Sequence, residues 1–181
     1  MRLSVLDAFE STWSNARSTF GDGTPETGAQ FDGSAKLTQL QNSVSTAAPD
    51  GRWTGPASSA YGAANQDHGR VLGQMAGLDQ RLGAAIDQSA QVIATGRQNL
   101  DAVRNWVMAA ASSVPPGPNR DQMLLPIVKK GLSRISDVVS RSNGDLTKIG
   151  DQIRLIGHEY EALGDQRFAP KQDTGPDLQN I

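Results

Sequence analysis

One long stretch decides the fold. Residues 57–113 read ASSAYGAANQDHGRVLGQMAGLDQRLGAAIDQSAQVIATGRQNLDAVRNWVMAAASS. Apolar and small residues recur there at steps of three or four, the spacing that lines one face of an α-helix. The stripe consists of Tyr61, Ala64, His68, Val71, Met75, Leu78, Leu82, Ile86, Ser89, Ile93, Gly96, Leu100, Val103, Val107 and Ala110. Such a helix is about 85 Å long at 1.5 Å per residue, a length typical of a coiled-coil-like hairpin.

A second stripe follows a proline-rich connection at residues 114–120. It starts at Ile127 or Val128, and then alternates steps of three and four through Leu132, Ile135, Val139, Ser142, Leu146, Ile149, Ile153, Ile156, Tyr160 and Leu163. Asn143-Gly144 has the composition of a turn, but a turn there would reset the phase of the stripe, which is kept. The sequence therefore predicts one helix over about 121–164, weakest at Gly144.

Two shorter helices are predicted before the long pair. The first covers about residues 4–19, and a glycine-rich loop follows at 21–33. The second covers about 34–47, with Ser34 as its N-cap, and a turn at 48–56 ends it. Their apolar faces consist of Leu6, Phe9, Trp13, Ala16 and Phe20 in the first, and of Leu37, Leu40 and Val44 in the second.

The predicted fold class is therefore all-α. We expect an elongated antiparallel bundle, a single domain over residues 1–164, built on the two long helices. Pairing these helices along their lengths places His158 near Met75. Residues 165–181 lose the periodicity and contain two prolines, so we expect a disordered tail there.

Composition excludes several classes of function. The formal net charge is −2, with Lys and Arg interspersed among Asp and Glu, so no nucleic-acid or anionic-membrane partner is expected. The chain has no cysteine, which excludes disulfides and thiolate sites. No run of 18 apolar residues occurs, so no transmembrane segment is expected. The first ten residues lack a continuous apolar region, and we expect any export to proceed without a cleavable signal peptide.

Catalytic patterns are also missing from the sequence. The two histidines, His68 and His158, lack partners at metal-binding spacing, so we expect no metal site. No Gly-x-Ser-x-Gly motif and no phosphate-binding glycine loop after a strand is present. The sequence therefore predicts no catalytic residue, no cofactor and no enzyme.

The tryptophans and glycines are the remaining candidates. Trp13 lies on the apolar stripe of the first helix and Trp106 lies beside the Val103–Val107 part of the long stripe, which favours packing for both. Trp53 lies in the turn of Trp53-Thr54-Gly55, where it is either a cap on the core or a recognition element. Gly69, Gly73 and Gly77 share one helix face, which indicates either a close-packing face for another helix or tolerated surface glycines.

A family resemblance rests on these residues. The order helix, Trp53-Thr54-Gly55, helix resembles the tryptophan-x-glycine hairpins of actinobacterial type VII secretion substrates. The stretch RWTGPASSAYGAANQDHGRVLGQMAGLD (52–79), together with GRQNLDAVRNWV (96–107), resembles the EspA/EspE family of mycobacterial secretion-associated proteins. The likeness covers roughly residues 1–165.

The resemblance implies a secreted, non-enzymatic substrate or accessory protein of a type VII (ESX) system, with a role in virulence or in the envelope. Its implied partners are the secretion machinery and either a helical co-secreted protein or a second copy. The implied interaction or secretion motif consists of Trp53, Gly55, Tyr61 and Tyr160. The alternative is a helical delivery or structural module for an effector domain.

One part of the family pattern is incomplete. Such substrates carry a tyrosine followed four residues later by Asp or Glu. Tyr160 is followed at that distance by Gly164, with Asp165 one place late, and Tyr61 is followed by Asn65. Either the signal is degenerate, or a co-secreted partner carries it.

Overall fold

The computed structural model describes residues 4–165, and the chain is all-α over that range. Its helices are α1 (Val5–Thr19), α2 (Ser34–Thr46), α3 (Pro56–Ser112) and α4 (Arg120–Gly164), with a short 3-10 turn at Gly28–Phe31. These bounds confirm the all-α bundle and the four predicted helices to within one residue at every end. Apart from Asp165, the tail predicted for residues 165–181 lies outside the described residues.

Each of the two long apolar stripes forms a single helix, as its unbroken steps of three and four predicted. α4 continues through Asn143 and Gly144 without a turn. It also contains Pro126, whose missing N–H removes one backbone hydrogen bond in the second turn of the helix. The unbroken apolar stripe is therefore a better guide to this helix than its individual helix-breaking residues.

The helix starts are capped in two different ways. Ser4 and Asp7 form a reciprocal capping box on α1, in which Ser4 Oγ accepts from the amide of Asp7 at 3.1 Å and Asp7 Oδ2 accepts from the amide of Ser4 at 3.0 Å. The prediction of Ser34 as the N-cap of α2 was wrong, because Gly33 holds that place. The carboxylate of Asp32 instead accepts from the Ser34 amide at 3.0 Å, and hydrogen bonds from Ser34 lower the pKa of Asp32.

The helices pack into two compact units. The first contains the described residues up to Gly28 together with Ala84–Ile153, and the second contains Ala29–Gly83 together with the described residues from Arg154 onward. The single domain proposed for residues 1–164 stays a prediction.

In the first unit, α1 packs on the antiparallel pair of α3 and α4. Phe9 of α1 is fully buried, and a Cβ atom at Gly131 of α4 would lie 2.5 Å from Cγ2 of Val107 and 2.8 Å from Cε2 of Phe9. The three helices therefore meet at a glycine, where the backbone of α4 comes closest to its neighbours. The buried cluster consists of Phe9, Leu100, Val103, Val107, Val128 and Ile135.

Polar contacts fix α1 and the loop that leaves it. The indole Nε1 of Trp13 donates to the carbonyl of Leu100 at 2.8 Å, and the guanidinium of Arg104 lies 5.0 Å from the centre of the Trp13 ring. Arg97 donates to the carbonyl of Phe20 at 2.7 Å and to that of Gly23 at 2.6 Å. These contacts hold the end of α1 on α3.

In the second unit, α2, the first part of α3 and the end of α4 come together. Its buried apolar side chains are few and consist of Val71, Ala76, Leu78 and Ile156. Arg81 of α3 forms a bidentate ion pair with Glu159 of α4, with N···O distances of 2.7 and 2.9 Å. His158 therefore lies level with the residues just after Arg81, and the predicted position near Met75 was wrong by about two helical turns.

Among residues 4–165, no helix is both long and apolar enough to cross a membrane.

Candidate functional site

The turn between α2 and α3 has a well-defined backbone. The amide of Trp53 donates to the carbonyl of Asp50 at 3.1 Å, and Ser58 Oγ donates to the carbonyl of Trp53 at 2.7 Å. Gly55 has φ of +107°, a conformation that residues with a Cβ atom rarely adopt. Its carbonyl accepts the first hydrogen bond of α3, from the amide of Ser59 at 3.1 Å. Gly55 thus lets the chain turn directly into α3.

Trp53 and Tyr61 form an exposed aromatic pair at this turn. Their ring centroids are 5.4 Å apart and their planes are inclined by 46°. Trp53 remains 46% exposed and Tyr61 43% exposed. The contact holds both rings in place while leaving about half of each side chain open to solvent.

Tyr160 is placed very differently. Its hydroxyl donates to the carboxylate of Asp79 on α3, and the other oxygen of Asp79 accepts from the amide of Gly33 at 3.1 Å. The pKa of Tyr160 is raised above its usual value. Partial burial is the larger cause, and the hydrogen bond to Asp79 is the next. Asp79 thus connects the start of α2 and the end of α4 through α3.

The four predicted motif residues therefore occupy two places. Trp53, Gly55 and Tyr61 lie together at the turn. Asp79, the partner of Tyr160, lies 23 residues into α3 from Pro56, which corresponds to about 35 Å along the helix. The structure does not bring Tyr160 to Trp53.

The three glycines of the predicted close-packing face differ in their surroundings. A Cβ atom at Gly73 would lie 2.8 Å from Nε2 of Gln41 on α2, so this glycine does permit a close approach. At Gly69 and Gly77 a Cβ atom would meet no atom within 4 Å. Close packing of another helix against those two positions stays a prediction.

How far α4 extends along α3 in this unit was not predicted from the sequence. Because Tyr160 contacts Asp79 and α4 ends four residues later at Gly164, the end of α4 lies opposite Met75. Of the described helices in this unit, only α2 accompanies α3 between residues 56 and 74. The two are joined there by a hydrogen bond of 3.1 Å from Asn65 Nδ2 to the carbonyl of Val44.

Comparisons with known proteins agree with the resemblance seen in the sequence. The EspA/EspE family matches residues 20–102, a range that includes α2, the turn and most of α3. The chain is 26% identical over 188 aligned residues to the ESX-1 secretion-associated protein EspE of Mycolicibacterium smegmatis (strain ATCC 700084 / mc(2)155). That alignment covers 97% of this chain but only 35% of the relative, so the chain spans about a third of the relative's length. No solved structure matches the chain. Residues 20–102 therefore match the EspA/EspE family, and the chain as a whole is similar to an ESX-1 secretion-associated protein.

Proposed function

We propose that this chain is a secreted, non-enzymatic protein associated with an ESX (type VII) secretion system. It acts through helix–helix contact with a helical partner. The proposal is supported by the match to the EspA/EspE family and by the secretion-associated relative. Those similarities concern the class of protein, and the recognition surface is inferred from the geometry of the turn.

The exposed pair of Trp53 and Tyr61 carries the proposal. Large aromatic side chains are enriched at protein interfaces and supply much of the binding energy there. The hydrogen bonds at Trp53 and the left-handed backbone at Gly55 fix the position of the pair, so little conformational entropy is lost when a partner covers it. This placement favours recognition over the role of a core cap for Trp53.

The adjoining helices offer room for a partner helix. Between residues 56 and 74, α3 is accompanied only by α2 among the described helices of its unit, and Leu40 of α2 is 45% exposed. A helical partner that covers the turn would complete the packing of this hairpin.

The test is export from the native host with single substitutions. We expect Trp53→Ala and Tyr61→Ala each to reduce the amount of tagged protein in the culture supernatant, while Trp53→Phe retains much of it. Leu155→Ala is the matched control, because Leu155 is 60% exposed on α4 and lies outside the turn. Circular dichroism confirms that each variant is folded.

Undiminished export and partner binding in folded Trp53→Ala protein would show that the turn is not the recognition surface. If Leu155→Ala reduced export as much as Trp53→Ala does, the assignment of the recognition surface to the turn would be contradicted.

A further inference from the structure

The first unit has one covered face and one open face. The residues of α3 that contact α1 include Arg97, Leu100 and Arg104. A different face of α3 carries Gln88, Val92, Thr95, Asn99 and Trp106, which follow one another at spacings of four, three, four and seven. Among the described residues of this unit, α1 therefore covers one side of the α3 and α4 pair, and the other side has no third helix.

A groove runs along the open face. It has a volume of about 600 Å³ and lies between residues 88–99 of α3 and residues 138–152 of α4. Val92, Val138 and Ile149 are its apolar lining, and Gln88, Asn99 and Gln152 are among the polar residues beside them. An apolar floor with polar edges between two helices fits the side of a third helix.

Cations extend the same face beyond the groove. Lys130 Nζ lies 5.6 Å from the centre of the Trp106 ring, and the guanidinium of Arg134 lies 4.3 Å from it. Among residues 4–165 neither cation has a carboxylate partner, although two positive charges one helical turn apart repel each other. A carboxylate placed between them would relieve that repulsion.

The net charge of the whole open face also favours a partner that carries carboxylates. Its α4 side carries Lys130, Arg134, Arg141 and Lys148 against Asp137 and Asp145, and Asp145 lies 4.0 Å from Lys148. The α3 side contributes only neutral residues between Gln88 and Trp106 on this face. The face is thus net positive by two charges, whereas the chain as a whole has a net charge of −2.

We propose that this open face binds an acidic amphipathic helix of a partner protein. The helix lays its apolar side chains into the groove and directs Asp or Glu toward Lys130 and Arg134. From Gln88 to Trp106 the face is about 27 Å long, which matches a helix of about 18 residues. The few, partly balanced cations do not suit a polyanion such as nucleic acid or an anionic lipid surface, which needs a denser basic cluster.

The experiment selects binders for the full-length protein from a displayed library of 18-residue amphipathic helices. Their apolar positions are fixed, and every flanking position varies among Glu, Lys, Gln, Ser and Ala. We expect the recovered peptides to be enriched in Glu. Thr95→Trp, which fills the groove from an exposed position, should abolish their binding as measured by fluorescence anisotropy.

Charge reversal is the second variant and does not depend on filling the groove. Lys130→Glu with Arg134→Glu should weaken binding at least about fivefold, because opposite charges are replaced by like charges across the contact. Lys129→Glu changes the same charge on another face of α4 and should leave the affinity within about twofold. Circular dichroism establishes that all variants are folded.

Three results would overturn the proposal. The first is recovery of no binders, or of peptides whose binding survives both sets of changes. The second is binding to phosphatidylglycerol vesicles that the charge reversal removes, which would assign the face to a lipid surface. The third is dimerisation in analytical ultracentrifugation that Thr95→Trp removes, which would assign the face to a second copy. None of these results depends on the turn at Trp53, so the proposed function is tested separately.

Discussion

Tyr160 on α4 donates its hydroxyl hydrogen to Asp79 on α3, a residue 81 positions earlier in the chain. This bond uses the polar group of the tyrosine that the family pattern would assign to a secretion signal. Tyr61 remains at the turn beside Trp53, with 43% of its surface exposed. The hydroxyl of Tyr160 is thus engaged inside its unit, whereas Tyr61 is exposed at the turn.

The bond at Tyr160 predicts a measurable titration. Tyr61→Phe leaves Tyr160 as the only tyrosine, since the chain has two. Burial and the carboxylate of Asp79 raise the pKa of Tyr160, so its absorbance at alkaline pH should change with a midpoint above the value of about 10 for free tyrosine. Adding Asp79→Asn should move the midpoint back toward that value, and an unchanged midpoint would show that the hydrogen bond is not the cause.

The same shift has a defined sign for stability. A pKa that is higher in the folded than in the unfolded state means that the folded state retains the proton more strongly. The stabilisation from Tyr160 is therefore complete below a pH of about 10 and decreases as the pH rises above it. Denaturant unfolding of the Tyr61→Phe protein at increasing alkaline pH should show this loss, and Tyr160→Phe in the same background should reduce it.

Gly131 and Gly144 should respond to alanine in opposite directions. At Gly131 a new Cβ would lie 2.5 Å from Val107 and 2.8 Å from Phe9, so we expect a loss of about 1–3 kcal/mol from overpacking. At Gly144 the Cβ would meet no atom within 4 Å, and alanine should stabilise the helix by about 0.8–1 kcal/mol. Urea unfolding of the two variants measures the difference, and equal effects would contradict the close contact at Gly131.

Trp13→Phe isolates the hydrogen bond to Leu100. The change removes the 2.8 Å bond and weakens the contact with Arg104, so the free energy of unfolding should fall by about 1–2 kcal/mol. Trp106→Phe is the matched control, because no described residue accepts a hydrogen bond from its indole. An equal loss at both positions would mean that ring size, rather than the hydrogen bond, determines the effect.

Gly55→Ala tests the geometry of the turn. With φ at +107° and no atom within 4 Å of a new Cβ, the penalty comes from the backbone alone, and we expect about 1–3 kcal/mol. Gly51→Ala in the same turn is the control, since its φ is not positive and its surroundings are also open. Thermal unfolding followed by circular dichroism compares the two, and a Gly55→Ala protein as stable as the control would exclude backbone strain.

Most of the helical architecture could be predicted from the sequence, because its signals are local. Steps of three and four define α3 and α4, and the prolines at residues 115–118 separate them. The continuity of α4 through Gly144 followed from the phase of Ser142 and Leu146. The cap at Gly33 could not be predicted in this way, because Ser34 has the preferred side chain and only the backbone geometry places it inside the helix.

Contacts between helices that are far apart in the chain could not be predicted from the sequence. The register of α4 on α3 depends on the geometry of the connection, and it placed Glu159 beside Arg81, about two helical turns from the position expected from the sequence. Asp79 is one of 19 acidic residues, and nothing in its neighbourhood distinguishes it as the partner of Tyr160. The open groove of the first unit could not be predicted either, because it lies between α3 and α4 and depends on how these two helices pack.

The attachment of α2 has a consequence for the dynamics of its unit. Ser34 is the only residue of α2 that is buried, whereas α1 contributes the fully buried Phe9. Helices that bury little apolar surface open locally at a low free energy, without unfolding of the rest of the protein. Amide hydrogen exchange should therefore be faster in α2 than in α1, so that α2 can separate from α3 while the core around Phe9 remains folded.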